Sequence, residues 1–571
     1  MRGRRHLIFI SILAAAAGAS ALTALLFGPT PTQAAPTATY RYVFPGGNDA
    51  GECTYDAPCR TVQYALAQAN PGDTLIIAGG TYTGTVEVTK TIAFEGSYIH
   101  LCLPNCVWFR LSCDPSSTVL DGLGAGRAVS IHSGVAITIN CLTIANGNAA
   151  GLGGGDSDKD AGGGVYAYYP RVVVLSNVVI SNNIATNFGY GGGIYVVGGP
   201  LVMSHTEVVS NQAYYGGGGL YLDLSASGRA VIEGSTFAHN TVSGGGSIGG
   251  GACIKGGSFA EVDVGEIVAS SFLTNSADHG GGLYLAPGAG GTFTVTDTLF
   301  QGNHANWSGG GLWVVRGHPR IISNTITSNT ADRDGGGMKV DNSTGAIISS
   351  NVIEENQARR GGGIYLPQNT DAVIEGNWIA HNDATVACGG GVSLFHSSSY
   401  LRNNFLASNS ALSSGAAVCA DGGETQMAHN TLVWNGSGGW TSGDGVYLFD
   451  GATVALTNTI IVGHHSAIYA SIGTTATLQA TLWGTDTWAN DSDWGGAGTI
   501  LTGTINLWAD PGFLDPAQGD FHLDQGSAAI GRGVDAGVTA DFDGDHRVGA
   551  PDLGADEYVT YTYLPLTVRN Y

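Results

Sequence analysis

IISNTITSNTADRDGGGMKVDNSTGAIISSNVIEENQARRGGGIYL, residues 321–366, holds two copies of one pattern. An apolar residue is followed three positions later by asparagine, at Ile326/Asn329 and again at Ile353/Asn356; a glycine triplet and another apolar residue come next, from Gly335 and from Gly361. Between these marks apolar and polar residues alternate in short β-branched runs, which is strand periodicity, and no helix-period segment interrupts them. The apolar/Asn mark extends in both directions, at Ile180/Asn183, Val208/Asn211, Phe237/Asn240, Phe272/Asn275, Phe300/Asn303, Ile379/Asn382, Leu406/Asn409 and Leu432/Asn435. Its steps are 26 to 29 residues, with one of 35. The triplet keeps phase with it, as GGGVY from Gly162, GGGIY from Gly191, GGGLY from Gly280 and GGGLW from Gly309.

A strand-only unit of this length cannot bury a face alone. Successive units must stack, each strand pairing in parallel with its counterpart about 4.8 Å away. The predicted fold is therefore all-β, a single-stranded right-handed parallel β-helix solenoid with a short N-terminal capping helix. The asparagines are expected to take left-handed turn positions and to join their amides in a ladder. The glycines are expected to supply positive φ and close backbone approach. The step of 35 reads as a loop insertion.

Composition agrees. Glycine contributes 91 of 571 residues and proline 17, with 43% hydrophobic content, which excludes collagen and disorder. Only 12% of residues are charged, 22 basic against 45 acidic, so a phosphate-binding nucleic-acid surface is excluded as well.

Residues 1–35 read as an export signal: Arg2, Arg4 and Arg5, an apolar run from Leu7 to Phe27, then Thr32-Gln33-Ala34-Ala35. The run is long enough that an uncleaved membrane anchor is the competing reading. Residues 36–73 form a predicted N-terminal cap, with Val62, Ala65, Leu66 and Ala69 on one helical face. Residues 74–508 form the solenoid, 509–558 a second cap and 559–571 a tail. Nine cysteines point to an oxidising compartment and to disulfides. Cys53/Cys59 is the leading pair, Cys388/Cys419 is positioned to meet across coils, and Cys102, Cys106 and Cys113 read as disulfide partners before a zinc site. The odd count leaves a thiol over.

The opening CTYDAPCRTVQYALAQANPGDTLIIAGGTYTG resembles the start of β-helix proteins of the pectate-lyase-like superfamily. The closing DPGFLDPAQGDFHLDQGSAAIGRG and DFDGDHRVGAPDLGADE are similar to the terminal segment of the choice-of-anchor Q group. The paired GGG and FAHN, FLTN, FQGN marks resemble the repeats of polymorphic outer-membrane adhesins, with Gly here where those have Ala. The resemblance implies the fold, and a range of activities from polysaccharide lyases and glycosidases to surface proteins without a reaction.

Two residue sets are candidate sites. Tyr166, Tyr195, Tyr221, Tyr284, Trp313 and Tyr365 follow the Gly-apolar mark and, by alternation, point outward. They form either an exposed glycan-binding row or a structural stack. The second set concentrates charge: Asp332, Arg333, Asp334, Lys339 and Asp341 on one coil, with Arg359 and Arg360 over Arg333 and Asp334 on the next. As a lyase site, Lys339 or Arg360 would take the proton, Asp334 would assist, and Asp332, Asp334 and Asp341 would hold calcium. As structure, they are an inter-coil ion-pair network. Asp156, Asp158 and Asp160, and Asp541, Asp543 and Asp545, are weaker calcium patterns. The expected function is a secreted or cell-surface monomer that binds polysaccharide without catalysis, attached to a membrane only through an uncleaved signal or a surface anchor. A calcium-assisted lyase or hydrolase is the alternative.

Overall fold

The computed structural model describes residues 39–559 apart from 103–104, 156–158, 225–227, 258–262, 369 and 438–444. The segment 1–35 expected to be an export signal, the tail beyond 559, Asp156 and Asp158 therefore lie outside the described residues.

Two sheets of short strands run most of the length of the molecule, and a third joins them over the coils between Ile184 and Ser437. One has 32 strands, one 15 and one 10, and neighbours along each stack pair in parallel. The register is one coil to the next: Ile326 pairs with Ile353 and Ile353 with Ile379, so each apolar mark lies over its counterpart. The interior is filled by aligned aliphatic residues and by a stack of Phe237, Phe272 and Phe300 with centroids 4.8 and 4.9 Å apart.

The asparagine ladder is continuous from Asn183 to Asn435. Each Nδ2 donates to the Oδ1 of the next rung, for example Asn329 to Asn356 at 3.0 Å, and also to a carbonyl of the preceding coil, Phe300 O at 3.0 Å. The backbone N–H of each rung donates to that same Oδ1, so every polar atom of these buried amides is used. A second ladder runs through Asn324, Asn351, Asn377, Asn404 and Asn430. The left-handed residue is the one before each asparagine, Ser328 at φ 57° before Asn329 and Glu355 at φ 57° before Asn356, which corrects the expectation placed on the asparagine itself. The turn needs its αL residue one position earlier so that the following amide points into the stack.

In each triplet the first glycine supplies positive φ, as at Gly335, φ +68°. The third admits no side chain, since a Cβ on Gly337 would stand 2.7 Å from Gly363 O and 3.1 Å from the Asn356 amide. The triplet thus lets one coil close over the amide ladder.

At the N-terminal end the helix Val62–Gln68, capped by the Thr61 hydroxyl, buries Val62, Ala65 and Leu66 against the core. The segment after residue 509 was expected as an end cap and lies elsewhere. It packs along the flank of the 32-stranded sheet, with Phe521 on Trp378 and Trp434, Phe542 on Phe405, and Phe513 on Trp488. Large aromatics point outward on successive rungs there, and the segment covers them. The terminal core is filled by Trp483, with Trp494 packed on it. Disulfides join Cys53–Cys59, Cys102–Cys106, Cys113–Cys141 and Cys388–Cys419, and Cys253 is the buried free thiol. Four bridges fit an extracellular setting.

Candidate functional site

The 15-stranded sheet carries the aromatic set, Lys339 and Asp341, and the turns that lead into it carry Asp332, Arg333, Asp334, Arg359 and Arg360. Strand alternation sends Val165, Ile194, Leu220, Leu283, Leu312 and Ile364 into the core and the following residue outward. The register makes one column: Tyr166, Tyr195, Tyr221, Cys253, Tyr284, Trp313, Lys339, Tyr365.

The lower column is closed. Tyr166, Tyr195 and Tyr221 stack nearly parallel, with centroids 5.7 and 5.4 Å apart. The Arg127 guanidinium covers Tyr166 at 4.2 Å and the Lys255 ammonium lies 5.2 Å from the Tyr221 ring. Tyr195, Tyr221 and Tyr365 are 3, 6 and 3% exposed, and Tyr166, Tyr284 and Trp313 are half-buried. The expected row of exposed rings is corrected accordingly. At a rung spacing of about 4.8 Å stacked rings hide one another's faces.

Above Cys253 the geometry changes. Tyr284 meets Trp313 edge-on, and His279 packs on Trp313 at 4.4 Å and edge-on to Trp307 at 5.0 Å. Burial, then the cations Lys339 and Arg333, hold the His279 imidazole down at about 4, so it is neutral at ordinary pH. Trp307 stands at the turn edge, 44% exposed, with the Arg333 guanidinium 4.8 Å over its ring. Lys339 sits between the Trp313 and Tyr365 rings at 5.1 and 5.5 Å.

The charged set is brought together around one buried carboxylate. Asp334 Oδ1 accepts from Arg360 Nε at 2.8 Å, and Oδ2 lies 3.8 Å from Lys339 Nζ. Arg360 also lies over Tyr365 at 5.0 Å. Arg333 and Arg359 are exposed on adjacent turns. The proposed calcium trio does not converge. Asp332 is exposed on the turn, Asp334 is engaged by two cations, and Asp341, at the far end of its strand, accepts from Asn342. Burial raises the pKa of Asp341. Asp160 is buried and accepts from the backbone of Gly151 and Gly153. Asp541 accepts from the N–H groups of Asp543 and Asp545, holding a turn.

Among the described residues, the clusters with ligating atoms within 4.8 Å of one another are His100/Cys102/Cys106, His396/Asp421/Asp450 and His522/Asp543/Asp556. The two cysteines of the first are joined in a disulfide. The sequence reading missed the other two because their successive members lie 25 and 29 residues apart in the one and 21 and 13 in the other, outside any local ligand spacing. It also missed the turn edge ahead of the triplets, where Phe188, Tyr214 and Tyr215 cluster, with Phe188 against Tyr214 at 5.1 Å, and where Trp307 stands several coils further on beside His279. An aromatic one to three residues before a glycine triplet is the signal that marks this edge.

A family described as "Right handed beta helix region" matches residues 250–433. Pectate lyase PEL9 of Emericella nidulans is 40% identical over 60 residues, 10% of this chain and 15% of that protein, so the likeness spans a small part of either. The Dettilon tailspike protein (gp208) is 10% identical with a TM-score of 0.29, over 81% of this chain and 68% of that one. Pectate lyase Pel9A is 13% identical with a TM-score of 0.21, over 92% and 97%. XylC, in complex with xylose, is 9% identical with a TM-score of 0.28, over 91% and 98%. Likenesses this distant decide nothing about activity.

Proposed function

We propose that this chain is an exported, non-catalytic surface protein that binds an extended polysaccharide along the turn edge and outer face of the 15-stranded sheet. The reading rests on one observation: Trp307 is exposed under the Arg333 guanidinium and edge-on to His279, which packs on Trp313 beneath Lys339, in a chain where acids outnumber bases two to one. Indole faces stack on the apolar faces of sugars, and the cations hydrogen-bond hydroxyls or carboxylates at the rim. Repetition along the solenoid presents such groups at a regular rise, which suits a polymer. The closed stack of Tyr166, Tyr195 and Tyr221 serves as its scaffold, and the partly exposed Tyr284 and Trp313 extend the platform.

A polysaccharide panel, with and without calcium, tests this by retention on immobilised glycan and release of shorter products in the same samples. Retention without release, lost in Trp307→Ala and Arg333→Ala, is expected. No retention on any glycan sinks the reading. Release of unsaturated products that disappears in Lys339→Ala replaces it with a lyase, the outcome motivated by the short likeness to a pectate lyase.

A further inference from the structure

Beyond the aromatic platform, the turn that leaves the 15-stranded sheet contains a notch. Three consecutive coils place His396, Gly422 and Asp450 at the same left-handed position, with φ of 46, 67 and 51°. The rungs are in register, since Phe395 pairs with Asp421 and Asp421 with Phe449. The middle rung has no side chain. His396 from one side and Asp450 from the other close over it, two rungs apart in the stack, and His396 Nε2 comes within 3.3 Å of Asp450 Oδ2. Asp421, the last residue of the middle strand, forms the floor.

Gly422 fixes the ring. A Cβ there would fall 2.2 Å from His396 Nδ1, so the imidazole lies flat over the bare Cα and turns Nε2 toward the carboxylates. Phe395 holds its other side edge-on at 4.8 Å. The ligating atoms of His396, Asp421 and Asp450 all lie within 4.8 Å of one another. The edge of a tetrahedron with metal bonds of about 2.0–2.1 Å is roughly 3.3 Å, the separation found between the imidazole nitrogen and the Asp450 oxygen. The mouth is open, with the His396 and Asp450 side chains 42 and 65% exposed.

We propose that His396, Asp421 and Asp450 bind one first-row divalent cation, of which Zn²⁺ is the best fit, leaving its remaining positions to water or an external ligand. The imidazole nitrogen is a borderline donor that favours Zn²⁺ over Ca²⁺, whose shell is built from oxygens, and the two hard carboxylates serve either ion. Arg360, the nearby guanidinium, donates its Nε–H to Asp334 and its charge also attracts Asp421, an attraction with which a bound cation competes. This site is independent of the glycan reading, because its members lie away from Trp307 and Arg333.

The test uses tag-free full-length protein stripped with chelator and titrated calorimetrically with Zn²⁺ and Ca²⁺, and with Co²⁺ for its absorption bands. One equivalent of Zn²⁺ is expected, with Co²⁺ bands of low-coordinate N/O ligation. His396→Ala and Asp450→Asn, both at the surface, should keep the wild-type melting curve and bind at least about tenfold more weakly, the scale on which even supporting groups act. His522→Gln should leave binding unchanged. Absence of binding, equal affinity for Ca²⁺, or binding that survives both site variants would overturn the assignment.

Discussion

Arg360 Nε stands 2.8 Å from Asp334 Oδ1 on the coil below, while the other oxygen of the same carboxylate faces Lys339 Nζ at 3.8 Å. The three residues singled out as a catalytic set thus pair through one carboxylate shared between two cations, Arg360 from the next coil and Lys339 from its own. Asp334 is 7% exposed, so its charge is held by these partners, and removing it leaves two cations facing each other across Tyr365.

Asp334→Asn keeps the shape and removes the charge. Arg360 is half in solvent and its pairing is screened, so the expected loss is modest, about 1–2 kcal/mol by denaturant melting. The patch becomes more cationic, and retention of uronate-containing glycans should rise while retention of neutral glycans stays level. Affinity electrophoresis on the two glycan types checks both.

The two ends of the aromatic column should respond differently. Tyr195→Ala empties a buried site in a three-ring stack and is expected to cost about 3–5 kcal/mol, the range for large aromatic truncations. Trp307→Ala removes an exposed ring, should leave the melting midpoint nearly unchanged, and should weaken glycan retention at least about tenfold if the indole is an anchor. Melting curves and retention measured on the same preparations separate scaffold from binding surface.

The amide ladder admits a sharper stability test. Asn356 Oδ1 accepts from the N–H and Nδ2 of Asn329, and its own Nδ2 donates to Ile326 O and to Asn382 Oδ1. Asn356→Ala strands all of those groups in a dry stack, and a loss of about 2–4 kcal/mol is expected. Because coils touch only their neighbours, the damage should be local. Hydrogen exchange should quicken in residues 321–382 before the rest of the solenoid.

The repeat was legible because stacking forces equivalent positions to carry equivalent chemistry: Ile326, Asn329 and the Gly335 triplet are each constrained by the rung above and the rung below. The column that places Lys339 between Trp313 and Tyr365 followed from the same periodicity. Exposure did not, since whether Tyr195 is bare or covered depends on Tyr166, Tyr221 and Arg127 together, and alternation says only that it points outward. The notch of His396, Gly422 and Asp450 was missed for a related reason. Its members share a rung position, but the informative one is a glycine, whose missing side chain reads as a turn. The flank position of the segment after 509 depends on contacts such as Ala555 N to Thr431 Oγ1, which span 124 residues without any repeat.

That flank segment should loosen as pH rises. His522 donates to Asp520 at 2.6 Å and lies 3.0 Å from Asp543. Burial pulls its pKa down, but the hydrogen bonds to Asp543 and Asp520 and the field of Asp556 outweigh this and raise it to about 9. A histidine whose folded pKa lies above its unfolded value of about 6.5 gives stability that is complete below that value and lost as pH climbs to the folded pKa. Asp556, raised to about 7 chiefly by burial, acts in the same direction at lower pH, since ionising it in the folded state is unfavourable. Amide protection factors in residues 510–558 should fall by about tenfold between roughly pH 6 and pH 9, while those of the coils near Asn329 stay level. His522→Gln should start from the lower protection and lose most of that pH dependence. A pH response unchanged in the variant would place its origin in another group.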